Sequence, residues 1–476
     1  MHRINRTHRV RNALGGLALV WGCLSAWVSA WAQAPAAPLP VPGVSAPASA
    51  APAAAGPAIG EVTFSRGVGF AQQPGLPPRT LGVGLPLVQG DRLTTGSASS
   101  AIVRLNDGTR LTLRPDSELV LEQYRYREAA ADNNMVLQLL RGGLRALTGL
   151  VSKNNSRAAA VRTPTATIGI RGTDFDARIC STDCAARSAT VAGQSRPANL
   201  KASAKAVAVQ GDISVLDAQG VRRPVVHGSS VYPGDVVETG AQGQAVLAFR
   251  DESKVAIGAG TRFRVDDFVF DRANPSDGRF LVSLLKGTVR ALTGLIGKSQ
   301  ARNVSFRTPT ATIGIRGTGL DLSCDDAGCR FFNWLGSIEV TPEGHSALQV
   351  LQAGQGLLVT PSGIRPLTEL PLPGLPRPDE VPVDLGPLFL TQDVDETEEG
   401  VYVWVRDGHV ELFAPQGVVH LGRGEVGLAR PDSSVLRPVR MPLFLELDPT
   451  PLPNHPNPLL ASVLGEAGVQ PLNQCR

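Results

Sequence analysis

Aromatic side chains are scarce: 5 Trp, 4 Tyr and 14 Phe in 476 residues. Histidine is scarcer still. Beyond the N-terminal segment there are only His227, His345, His409, His420 and His455, none at HxH or HExxH spacing, and no metal or cofactor is expected from them. After residue 32 no apolar run is long enough to cross a bilayer, which excludes a polytopic helical membrane protein. Motifs for catalysis fail on context. Gly422-Arg423-Gly424-Glu425-Val426-Gly427 fits GxGxxG, but Pro431 and strand-like flanks leave no helix to receive a pyrophosphate. Gly297-Lys298-Ser299 resembles the end of a phosphate loop with Leu292 where the first glycine belongs, and Gly344-His345-Ser346 lacks the closing glycine of a nucleophile elbow because Leu348 stands there. No catalytic residue is assigned, and the chain is read as a non-enzyme.

Acidic residues are missing from the first 32 positions, where Arg3, Arg6, Arg9 and Arg11 precede an apolar stretch from Ala13 to Ala32 that ends Ala30-Trp31-Ala32. A basic head, an apolar core and a small-x-small site mark a secretory signal over 1–32. The alternatives are an uncleaved inner-membrane anchor, or lipidation at Cys23 after Val20-Trp21-Gly22. Cleavage changes the charge argument. The chain has 46 Lys+Arg against 42 Asp+Glu, and removing four arginines leaves 46 − 4 = 42 against 42. The basic balance belongs to the export signal, so a nucleic-acid partner is not expected. A soluble protein of the periplasm or exterior is.

Seven prolines among small residues make 33–58 an extended linker, and seven more between Pro366 and Pro387 make 366–390 a second. Between them the chain repeats itself. RTPTATIGIRGT occurs at Arg162–Thr173 and again at Arg307–Thr318, and RALTGL at Arg145–Leu150 and Arg290–Leu295, both offset by 145 residues. Gly90-Asp91 with Thr95-Gly96 matches Gly234-Asp235 with Thr239-Gly240 at an offset of 144. Such constant spacing means two copies of one domain. Each reads as β: Ala101–Leu105 and Arg110–Leu113 flank Asn106-Asp107-Gly108, a hairpin signal, and Thr163, Thr165 and Thr167 alternate at strand period. Gly142, Gly143 and Gly149 tilt Leu137–Leu150 towards strand and turn.

The order G-D-x-[LV]-x-T-G, hairpin, Gly-containing strand, then TPTATIGIRGT resembles the FecR domain over roughly 60–185 and 205–362. The resemblance implies an all-β fold of tandem β-sandwich or β-roll domains, at 59–190 and 200–365, with a continuous β-helix as the alternative. Gly400–Gly424 looks like only the last part of such a domain, a partial unit at 391–432 that completes a sheet, followed by a Pro-rich tail, 433–476. Members of that family often relay a periplasmic signal to a sigma factor through a cytoplasmic anti-sigma region. Here only about a dozen polar residues precede the apolar stretch, too few for a regulator domain. The implied role is a non-catalytic binding, sensing or scaffolding module with an envelope protein as partner. Carbohydrate binding to peptidoglycan or exopolysaccharide is the alternative, with Trp334 and Trp404 as candidate stacking aromatics.

Cys180 and Cys184 in one repeat, and Cys324 and Cys329 in the other, are expected to form short-loop disulfides, a metal or redox site being the alternative. Cys475 is left over. The repeated Arg171-Gly172-Thr173 and Arg316-Gly317-Thr318 are expected to be turns. Arg171 with Asp176, and Arg316 with Asp321, are read as ion pairs rather than an exposed ligand face. Gly169 and Gly314 are expected, with Gly172 and Gly317, at turns or close approaches. Export itself is directly measurable: mass spectrometry of the secreted product should find Gln33 at its start, and a lipid-modified Cys23 or an intact N-terminus would contradict the signal reading.

Overall fold

The computed structural model describes residues 56–154, 158–185, 201–344, 348–367, 372, 374–395, 398–446 and 451–453; residues 1–32, expected to be a signal, with Cys23, Cys475 and most of the first linker and of the tail, lie outside them. Among the described residues the architecture is all-β, with strands gathered into one 16-stranded and one 15-stranded curled sheet. Helices are single turns such as Leu150–Asn154 and Leu295–Ser299. Nearly all pairings are antiparallel, which sets aside the β-helix alternative. The exceptions are Ala159–Arg162 beside Asn134–Arg141 and, at the matching place, Val304–Arg307 beside Arg279–Leu292.

The local sequence explains the turns. Ser100–Leu105 pairs with Arg110–Leu113 around Gly108, whose φ of 86° suits glycine. Thr163-Pro164-Thr165-Ala166 departs from the strand expectation. The Thr163 hydroxyl accepts from the Ala166 amide at 3.0 Å and donates to its carbonyl at 2.8 Å, closing a turn between Ala159–Arg162 and Thr167–Cys180. Proline there has no amide to give a ladder, so the period-2 threonines bend the chain instead of extending it. Thr308 closes the same turn on Ala311.

The two copies follow one another along the chain, and the sheet of the first is completed by a strand that comes after the second. In the second, the long strand Ala311–Asp325 is paired by Gly328–Pro342, which follows it directly. In the first, the matching strand Thr167–Cys180 is followed by the whole second domain, and its outer edge is covered only by Gly400–Ala414. The segment read as a separate partial unit is therefore the missing last portion of the first domain. Residues 58–180 and 400–436 make one sheet, and 204–367 is inserted between them. Val401, Val403, Val405, Val410 and Leu412 are fully buried in the same core as Val161, Ile168, Ile170 and Phe175. Five such side chains contribute on the order of 10 kcal/mol, as much as the whole stability of an ordinary domain.

Two Pro-rich stretches also pack. Leu375, in the second linker, seats on Val246 and Ala256 of the inserted domain, and Lys254 donates to the Val381 carbonyl at 2.7 Å. Met441, Phe444 and Leu445, in the tail, bury against Tyr402 and Trp404. If the outer domain depends on its returning strand, a chain ended at Leu390 should lose amide protection over Thr167–Cys180 while Ala311–Asp325 keeps it. Hydrogen exchange read by mass spectrometry tests this, and equal protection in both long strands would contradict the nesting.

Candidate functional site

The repeated polar residues hold the two domains together from within. Asp91 accepts from Arg79 Nη2 with both carboxylate oxygens, at 2.5 and 2.6 Å, and Asp235 pairs with Arg223 at 2.5 Å. Thr95 and Thr239 each donate their hydroxyl to a carbonyl across the sheet, that of Arg114 and of Gly258. The RALTGL and RGT elements clasp each other. The Thr148 hydroxyl donates to the Thr173 carbonyl at 3.0 Å and accepts from its amide at 2.7 Å; Thr293 does the same with Thr318, at 3.2 and 2.9 Å. Gly172 and Gly317, at φ 57° and 62°, sit where the ladder register shifts, so those turns need glycine. Gly169 and Gly314 do not: an added Cβ would meet nothing nearer than 3.6 and 3.9 Å.

The expected arginine pairs are rearranged. Arg171 meets Glu411 on the returning strand, 2.9 Å away, rather than Asp176. Asp176 is instead gripped by Arg406 at 2.5 Å and Arg114 at 3.1 Å, with Arg145 alongside on Asp174 at 2.8 Å. Asp321 pairs with Arg290 at 2.8 Å, and the side chain of Arg316 lies outside the described residues. Cys180 and Cys184 stand at 2.08 Å between sulfurs, Cys324 and Cys329 at 2.14 Å, each pair inside its own domain. Trp404 is not a stacking platform: it is 8% exposed, with the Arg406 guanidinium 3.8 Å over its ring. Trp334 is half-buried over Gly319 with Arg377 across it at 5.4 Å.

The chemistry concentrates where the inserted domain meets the returning hairpin, Gly400–Ala414 and Gly417–Gly422. Lys205, fully buried, reaches out of the inserted domain to Glu425 at 2.7 Å and the His420 carbonyl at 2.6 Å. Burial works against the Glu425 charge, yet Lys205 and Arg437 hold its carboxyl below the usual range. Tyr232 donates to the Arg423 carbonyl at 2.7 Å. Alongside, His409, Glu411 and His420 gather with ligand-type atoms all within 4.8 Å of one another, the one such group among the described residues. Glu411 lies 3.9 Å from His409 Nε2 and 3.8 Å from His420 Nδ1. Motif spacing missed this cluster. The signal was in the hairpin: His409 and Glu411 share a strand face at i and i+2, and the turn at Ala414–Gly417 reflects Glu411 onto His420.

Among known proteins, the model of the family described as FecR protein matches residues 91–196 and 235–339. Two crystal structures of a candidate anti-sigma factor from Parabacteroides distasonis are similar at 17% identity and a TM-score of 0.23. The match covers 28% of this chain and 59% of that one, so the chain spans about three fifths of that protein's length. No curated protein matches.

Asp176 is the most exacting charge in the outer domain. Burial opposes its ionisation, but Arg406, Arg145 and Arg114 outweigh burial and hold the carboxyl below the usual carboxylate range. A depressed carboxyl stabilises the fold above the unfolded value and loses that contribution as pH falls below about 4. Asp176→Asn should therefore cost about 3–5 kcal/mol at pH 7, because buried arginines lose their counter-charge, and should flatten the acid limb of the stability curve. A variant that melts like wild type at pH 7 would show that the three arginines do not depend on it.

Proposed function

We propose that this chain, which carries two FecR domains with one nested inside the other, works as a non-catalytic sensing or scaffolding module that binds a protein partner in the cell envelope. The observation that carries this reading is where the repeated polar residues go. Asp91, Thr95, Thr148 and Thr173, with Asp235, Thr239, Thr293 and Thr318, are all engaged in bonds within their own domain. What the two copies share, among the described residues, is a hydrogen-bonded scaffold. The paired cysteines in each domain suit an oxidising compartment, the periplasm or the exterior.

A protein partner is favoured over a polysaccharide by the aromatics. Sugar stacking needs an open ring face, and Trp404 is buried while Arg377 lies across Trp334. Large apolar side chains are exposed in both domains instead, among them Phe70, 40% exposed, and Leu335, 48%. Cross-linking in living cells expressing the tagged full chain should trap a discrete envelope protein. Purified protein should stay in the supernatant when isolated sacculi are pelleted. Co-sedimentation with sacculi that disappears in Trp334→Ala, with no protein trapped in cells, would overturn the assignment in favour of carbohydrate.

A further inference from the structure

We propose that His409, Glu411 and His420 form a binding site for one divalent transition-metal ion of the Zn²⁺ class, with His227 of the inserted domain beside it. Donor chemistry comes first. Two imidazoles and one carboxylate suit zinc and its neighbours, whereas calcium and magnesium call for oxygen donors throughout. The backbone supplies the arrangement without distortion: i and i+2 on one strand, and the residue directly opposite on its hairpin partner. Both histidine side chains are 7% exposed, and Glu411 is 30% exposed, which leaves an approach from the carboxylate side.

A second observation points the same way. Both ring nitrogens of His409, and Nδ1 of His420, are buried with no hydrogen-bond partner. Buried imidazole nitrogens ordinarily find one, and leaving them unmet costs about 1–3 kcal/mol per group. A metal ion would satisfy a nitrogen on each ring at once. A third imidazole, the exposed His227, has its ring centroid 5.0 Å from that of His420. Because it belongs to the inserted domain, its ligation would tie the two domains through the ion.

Arg171 argues against the ion and must be accounted for. Its guanidinium holds Glu411 at 2.9 Å and would repel a dication. That side chain is 15% exposed, so guanidinium and ion would contend for the same carboxylate. Arg171 is then a competitor for Glu411, and removing it should tighten binding.

The test uses the full exported chain, stripped with chelator and dialysed against micromolar ZnCl₂, with bound zinc measured by mass spectrometry and melting followed in parallel. We expect one equivalent of zinc, a melting temperature raised by zinc and returned by chelator, at least tenfold weaker binding in His420→Gln, and severalfold tighter binding in Arg171→Gln. His345 and His455 remain in every variant, so adventitious histidine binding would persist unchanged. Near-UV circular dichroism establishes that each variant is folded; if His420→Gln is not, Glu411→Gln takes its place, since its partly exposed side chain can change without a core defect. Wild type that retains no zinc, or folded variants that retain as much as wild type, would overturn the proposal.

Discussion

The outer domain depends on a single unmet edge. Thr167–Cys180 is a long strand whose inner side chains belong to the core, and its outer row of amides and carbonyls needs a partner. The inserted domain solves the same problem locally, by turning at Asp325–Gly328 and running straight back. The outer domain waits until Gly400. Arg406 and Asp176, which meet across that pairing, are 230 residues apart in sequence. Closing so long a loop costs about 5 kcal/mol, and each halving of its free length returns about 0.6. An inserted domain that folds first shortens the free loop by roughly two halvings, worth about 1 kcal/mol. That is small beside the apolar burial contributed by the returning strand, so burial decides whether the nested form is stable and the order of folding decides only how easily it is reached.

Charge placement follows the same division. Asp176 and Asp321 occupy equivalent register positions, opposite Arg145 and Arg290. Asp321 makes do with one arginine, yet Asp176 has Arg114 and Arg406 in addition to nearby Arg145. In the inserted domain the counterparts of those two extra arginines are Gly258 and Trp334, neither of them charged. The extra cation thus arrives on the strand that comes from far away. A buried carboxylate already facing Arg114 and Arg145 is a template that the returning strand completes in one register, because a slip of one residue would turn Arg406 to the other face. Polar specificity of this kind adds little net stability; what it selects is alignment.

Much of this was legible in the residues. The all-β class, the two copies and the cysteine pairing candidates followed from spacing and turn chemistry, because those are local or repeat at a fixed interval. The nesting was not. Gly400–Gly424 is recognisable as the end of a domain, but nothing in it names which sheet lacks an end. Arg171 was given to Asp176 because the two are near in sequence, and strand geometry then placed them on opposite sides of a register shift at Gly172. The histidine cluster is hidden because its strand carries His409-Val410-Glu411 rather than two histidines, and its second imidazole comes from the hairpin partner. A hairpin brings together residues whose numbers share a constant sum, so 411 and 420 meet just as 414 and 417 do.

The junction between the two domains differs in kind from either core. The cores are mainly apolar, while the junction buries Lys205, Glu425, Arg437 and two histidines, with Arg437 Nε 3.9 Å from Glu425, and leaves Arg437 Nη1 and the Ser230 hydroxyl without a hydrogen-bond partner. It is also tight: a Cβ at Gly228 would fall 2.2 Å from the His420 ring, and one at Gly422 would fall 2.2 Å from the Ser230 hydroxyl. Close packing fixes how the inserted domain sits, and incomplete polar pairing keeps the energy of that seat shallow relative to an apolar interface of the same size. A ligand would shift such a seat only by as much as its differential binding to two arrangements of the junction, typically about 1–3 kcal/mol.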